Sequence, residues 1–189
     1  MDTHTTMKWS SVVPDQDQID SMRDMVEDGL KEGALDVGFT PGHVVGGCTQ
    51  QESMNVQMLA GKCGVSSFVH ARFSSQAPPT SGILGFEEMM APQAIYGGGI
   101  VFHHMHAQAL IETPKALKMM DDANAKGFPI CPEIYPYNYG GTIVAADYLK
   151  PSNYQGCMVR GFVSVRFRTC ADTAHFAQPC SFLAVSLLP

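Results

Sequence analysis

Three histidines fall within four residues at the end of an apolar run, Gly97-Gly98-Gly99-Ile100-Val101-Phe102-His103-His104-Met105-His106-Ala107. Ile100, Val101 and Phe102 suit a strand buried on both faces, the kind found in parallel sheets. Histidines at the C-terminal end of such a strand sit where α/β barrels and open α/β sheets place their chemistry. Ser66-Ser67-Phe68-Val69-His70-Ala71-Arg72 has the same form, an apolar run that ends in a histidine. Cys131-Pro132-Glu133-Ile134-Tyr135-Pro136-Tyr137 is a third such run with a polar, aromatic finish. Three strand ends in a row therefore direct polar groups the same way.

Helices must separate these strands. Ile19 to Gly33 reads as a helix, with Asp17 or Asp20 as its cap and Met22, Met25, Val26 and Leu30 as an apolar stripe. A short strand over 34–40 follows, then a glycine-rich loop that carries His43, read here as a solvated loop residue. Thr49 caps a second helix and Glu52 completes a capping box. Phe86 to Tyr96 gives a third helical pattern. Thr113 caps a fourth, with Pro114 at its first position. Strands separated by single helices imply right-handed crossovers and a parallel sheet. Four such units fit half of a βα barrel or part of an open doubly wound sheet. No strand is followed by a phosphate-binding glycine loop, which disfavours a nucleotide-binding sheet.

The 189 residues suffice for one domain with a substantial core but not for a complete (β/α)8 barrel, which needs about 250 residues. Hydrophobic residues make up 45% and charged residues 16%, the balance of a folded chain. A net charge of -6 without a basic cluster argues against a nucleic-acid partner. No apolar run is long enough for a membrane span, and the N-terminus has no signal-peptide pattern. The six cysteines form no CxxC pair, so a reduced, cytoplasmic chain is expected, with Cys48, Cys63 and Cys131 as buried thiols. Residues 1–17 read as a polar lead-in and 18–155 as the domain. Residues 156–189 form an irregular tail with the texture of a shifted reading frame, although Arg160 to Arg168 alternates like an exposed strand.

Residues 20–155 resemble the middle of the D-aminoacylases, the N-acyl-D-amino-acid deacylases of the amidohydrolase superfamily. Four segments carry the resemblance, in the family's order: Gly33-Ala34-Leu35-Asp36-Val37-Gly38-Phe39, Val69-His70-Ala71-Arg72, Phe102-His103-His104-Met105-His106-Ala107 and Tyr135-Pro136-Tyr137-Asn138-Tyr139-Gly140-Gly141-Thr142. The resemblance implies an α/β fold, a partial (β/α)8 TIM-type barrel of about four βα units with parallel strands. It also implies a zinc-dependent hydrolase acting on the amide bond of a small N-acyl amino acid. The family's metal-binding histidines on the fifth and sixth barrel strands fall on His70 and His104. Zinc takes neutral imidazoles at about 2.0 to 2.1 Å, which agrees with that assignment. The resemblance places His106 and Tyr137 near the substrate, and Arg72 can hold a carboxylate by its guanidinium fork. Strand neighbours alternate, so His106 is expected on the face of His104 and His103 on the opposite one.

The departures are as informative. No His-x-His pair precedes residue 103, and Asp172 has no motif around it that would mark a general base. The chain therefore reads as the fourth to seventh barrel strands without the first three or the eighth. Two alternatives follow: an inactive remnant, or a half-barrel that completes itself as a homo-oligomer or with another chain, because open sheet edges recruit partners.

Overall fold

The structure, a computed structural model, describes residues 12–44, 46–72 and 83–137, and the backbone of three strands over 139–143, 164–168 and 182–186. The chain divides into two compact units, Met1–Ile134 and Tyr135–Pro189.

The first unit alternates helix and strand. Helix α1 (Gln16–Lys31) leads to β1 (Val37–Phe39) and a 3-10 turn (Pro41–His43). Helix α2 (Gln50–Cys63), β2 (Ser66–Val69), α3 (Leu84–Tyr96) and β3 (Gly99–Phe102) follow. Then come α4 (Met105–Ala109), a second 3-10 turn (Leu110–Glu112), α5 (Thr113–Asn124) and β4 (Ile130–Pro132). The four strands form one sheet in the order β1-β2-β3-β4, and every pairing is parallel. This is the alternating arrangement of an α/β barrel, present as an unclosed arc: among the described residues β1 and β4 each have one strand neighbour.

Local sequence explains the helix starts. Thr49 caps α2: its hydroxyl accepts from the Glu52 amide at 3.2 Å, and the Glu52 carboxylate accepts from the Thr49 amide. For α1 the cap is Asp15 rather than Asp17 or Asp20. Asp15 and Gln18 form the same reciprocal box, at 2.9 and 3.0 Å, one turn before the apolar stripe that drew attention to the later aspartates. Of that stripe Met22 and Met25 are exposed and Val26 and Leu30 half-buried, and Ile19 is the residue of α1 that is buried. In α5, Thr113 lies inside the first turn and its hydroxyl donates to the Leu110 carbonyl at 2.7 Å.

The core lies between the sheet and its helices. Val69, Ile100, Phe102 and Ile130 from the strands meet Phe86 and Met89 of α3, Met105 of α4, and Ala116 and Met120 of α5. Phe86 and Phe102 meet edge to face with ring centroids 4.8 Å apart, a favoured aromatic geometry. Close approach imposes glycine at position 85, where a Cβ would lie 1.6 Å from the Arg72 carbonyl oxygen. The first turn of α3 thus packs on the chain just past β2.

Beyond Ile134 the rhythm changes. β5 (Tyr139–Ile143), β6 (Ser164–Arg168) and β7 (Phe182–Ser186) form an antiparallel sheet in the order β5-β7-β6. The alternating segment around Val165 is therefore a strand. Tyr139–Ile143 pairs within this second sheet, and β4 is the last strand of the parallel sheet among the described residues. Asp172 lies outside the described residues. No helix among the described residues is long and apolar enough to cross a membrane. Cys48 is half-buried, and Cys63 and Cys131 are exposed rather than buried; all three are free thiols.

Candidate metal centre

The register of β2 against β3 pairs Val69 with Phe102, so both chains leave the sheet at one level. The ladder runs one step further: the His103 amide donates to the Val69 carbonyl at 3.0 Å, and the His70 amide donates to the Phe39 carbonyl at 3.2 Å. His70 is thereby fixed above β2 and the His103-His104 pair above β3, at the C-terminal end of the sheet.

Regular strand geometry stops at Phe102. His104 takes a left-handed backbone, φ 34° and ψ 48°, as it caps α4. A side chain pays about 1–2 kcal/mol for that region relative to glycine. The turn brings the His104 ring onto His70. His70 Nδ1 and His104 Nε2 lie 3.0 Å apart, with the rings 89° to one another. Two nitrogens at zinc-ligand distance in a tetrahedral site are about 3.3 Å apart, so the pair is within a few tenths of an ångström of a ligand spacing.

The electrostatics agree with that donor set. Burial pushes the His70 pKa down to about 3, and the neighbouring His43, His104 and His103 add to the effect. Burial also lowers His104. Both imidazoles are neutral near pH 7, the form that ligates a metal. Zinc, which the family resemblance implies, thus fits these two residues. Among the described residues no group of three or more His, Cys, Asp or Glu side chains is arranged to hold a metal ion.

Three neighbours build the surroundings, and the sequence did not mark two of them. His43 is not a solvated loop residue. Its ring stacks on His70 with centroids 4.3 Å apart and planes 8° from parallel. A metal lies in the plane of each imidazole that holds it, so two stacked rings share no ion; His43 is a wall for His70. Gly42 closes the other edge. Its amide donates to the His70 carbonyl at 3.0 Å, and a Cβ there would lie 2.3 Å from His70 Cδ2 and 2.6 Å from Nε2. Glycine thus leaves room for the His70 ring, whose Nδ1 faces His104. Gln108 of α4 is the third neighbour, with its amide nitrogen 3.3 Å from His70 Nδ1 and 3.2 Å from His104 Nδ1.

The remaining expected site residues are spread out. Arg72 is buried, and its guanidinium holds the Glu88 carboxylate of α3 through Nε at 3.0 Å and Nη2 at 2.6 Å, with Nη1 on the Cys48 carbonyl. The fork thus grips a carboxylate of the protein itself. His106 lies within α4, with both ring nitrogens buried. It is helical, so strand alternation does not relate it to His104. His103 likewise does not turn into the barrel wall: its Nδ1 meets the Glu133 carboxylate at the end of β4, with its ring centroid 6.2 Å from that of His104. Tyr137 is in the second unit, 60% exposed, with its ring 6.2 Å from Tyr135.

The first unit is thus a run of parallel βα units with imidazoles at the C-terminal strand ends, the layout of βα-barrel enzymes. Solved structures of amidohydrolases share the fold. The D-aminoacylase that defines a novel subset of amidohydrolases is 17% identical with a TM-score of 0.60, over 71% of this chain and 28% of its own. N-acyl-D-glutamate deacylase from Bordetella bronchiseptica, complexed with zinc and a phosphonate mimic of the tetrahedral intermediate, is 17% identical with a TM-score of 0.63, over 94% and 40%. A D-aminoacylase described for its binuclear metal centre, with one-metal activation and second-metal attenuation, is 17% identical with a TM-score of 0.62, over 74% and 29%. The chain spans two fifths or less of the length of these proteins. No protein-family model and no curated protein sequence matches it.

Two outcomes test the geometry. His104→Gly will be more stable than His104→Ala by about 1 kcal/mol in urea unfolding, because glycine relieves the left-handed backbone. The metal-free protein will lose stability as pH falls from about 6.5, the unfolded value for histidine, toward the folded His70 value of about 3. In that window the unfolded chain binds a proton that the folded chain refuses. This one group sets a slope of at most about 1.4 kcal/mol per pH unit, and a His70→Asn variant will lack it.

Proposed function

We propose that the chain carries part of a zinc-dependent amidohydrolase centre, with His70 Nδ1 and His104 Nε2 as metal donors, and that the reaction is hydrolysis of the amide bond of N-acyl-D-amino acids. The observation that carries this reading is the convergence of two neutral imidazoles, 3.0 Å apart, from adjacent parallel strand ends. The shared fold of the D-aminoacylases and of the zinc-bound N-acyl-D-glutamate deacylase supports it. When bound, zinc supplies Lewis acidity that activates water and polarises an acyl carbonyl.

The protein's own residues hold the donors in place. Gly42 and His43 confine the His70 ring to one orientation, and the left-handed turn at His104 aims the second ring at the first. Arg72 reaches a substrate carboxylate only by giving up Glu88, so within the first unit carboxylate recognition falls to His106. The free thiols of Cys48, Cys63 and Cys131 agree with a reducing, cytoplasmic setting. A second reading, a half-barrel completed by association with another chain, is favoured by the single strand neighbour of β1 and of β4 among the described residues.

The test is hydrolysis of a panel of N-acetyl-D-amino acids by the purified chain with zinc, before and after chelation. Chelator-sensitive release of free amino acid is expected, with D-glutamate in the panel. No release from folded, zinc-loaded protein would mean that the fold persists without the activity. A discrete dimer on size exclusion, active where monomer is not, would establish the second reading.

A further inference from the structure

Alternate residues of β3 bond to β4. The Ile100 amide donates to the Pro129 carbonyl at 3.0 Å, and the Glu133 amide donates to the Phe102 carbonyl at 2.8 Å. The next regular bond of a parallel ladder would run from the His104 amide to the Glu133 carbonyl. The Met105 amide takes that carbonyl instead, at 2.9 Å. His103 and His104 thus stand where a regular strand has one residue, which is a bulge. Regular pleating would put His104 on the face of Phe102, which is fully buried in the core. The extra residue and the left-handed backbone of His104 turn its ring out of that face and onto His70. Met105 is the first residue of α4, so its amide has no partner within the helix, and the Glu133 carbonyl supplies one. The Glu133 side chain adds a further contact, its carboxylate accepting from His103 Nδ1.

We infer that Glu133 is a positioning residue for the metal centre, one that acts through the bulge: it holds the turn that carries His104 onto His70. This rests on the reading of His70 and His104 as metal donors. The main chain of Glu133 brackets the two histidines, bonded to Phe102 before them and to Met105 after them. Its carboxylate ties the His103 ring to the end of β4, so the residue ahead of His104 is held as well. A left-handed backbone at a residue other than glycine persists only where its surroundings over-determine it, and Glu133 supplies that constraint. Bulges beside functional sites re-aim single side chains in this way. β4 thereby takes part in a centre whose two donors come from β2 and β3.

The experiment measures zinc affinity by competition with a chelating dye, for the full 189-residue chain and its variants, with amide hydrogen exchange of the wild type. Glu133→Ala and His103→Ala are each expected to weaken binding by about threefold to tenfold, between the loss of an exposed ion pair and the loss of a ligand's direct outer partner. The double variant is expected to bind no more weakly than either single one, because both remove the same tie. Glu133→Gln removes the charge but keeps an acceptor for His103 Nδ1, and is expected to bind as wild type does. The Met105 amide of the wild type is expected to be protected from exchange. Wild-type affinity in Glu133→Ala, equal weakening in Glu133→Ala and Glu133→Gln, additive losses in the double variant, or an unprotected Met105 amide would each overturn the inference while the metal reading stands. Zinc affinity unchanged in both His70→Ala and His104→Ala would remove the metal reading and this inference together. The exchange measurement decides the bulge even if a variant fails to fold.

Discussion

One contact governs the candidate site: the edge-on meeting of His70 Nδ1 and His104 Nε2 across the ends of β2 and β3. It exists because the two strands pair in a register that brings Val69 opposite Phe102. A slip of one residue would turn every side chain of one strand to the other face and part the two rings. The core enforces the register. Val69 and Phe102 are fully buried, and Phe102 is held edge to face by Phe86. Packing beneath the sheet thus sets the spacing of the polar groups above it.

The chain accepts costs at the same point. His104 occupies a left-handed backbone that glycine would take freely, His70 is kept neutral by burial, and its ring is held between a glycine and a second imidazole. Strain and desolvation concentrated at strand ends are the pattern of sites kept for chemistry rather than for stability. The Arg72–Glu88 pair works in the other direction. It is buried and multiply hydrogen-bonded, and it joins the segment after β2 to α3. Removal of one partner from such a pair leaves an uncompensated charge.

Legibility in the sequence followed the range of the interaction. Order and direction of the strands were readable, because the helical and extended patterns alternate and a helix between strands forces a parallel crossover. The box formed by Thr49 and Glu52 was readable because it is local. His70 and His104 stood out at strand ends. His43 did not, because a histidine among glycines looks the same whether it faces solvent or a ring 27 positions away. Gln108 gave no signal, since a glutamine in a short helix is ordinary until its neighbours are known. Arg72 was read by its chemistry alone, and Glu88, 16 residues on, could be found only in three dimensions. The placement of His103 and His106 failed for a specific reason: strand alternation was extended past Phe102, where the chain has already turned into α4.

X-ray absorption of the zinc-loaded chain tests the central claim most directly, because it counts imidazoles at the ion without requiring turnover. The account predicts two histidine nitrogens at about 2.0 to 2.1 Å, reduced to one in His70→Ala and in His104→Ala. A first shell with no imidazole, or one unchanged by either substitution, would contradict it.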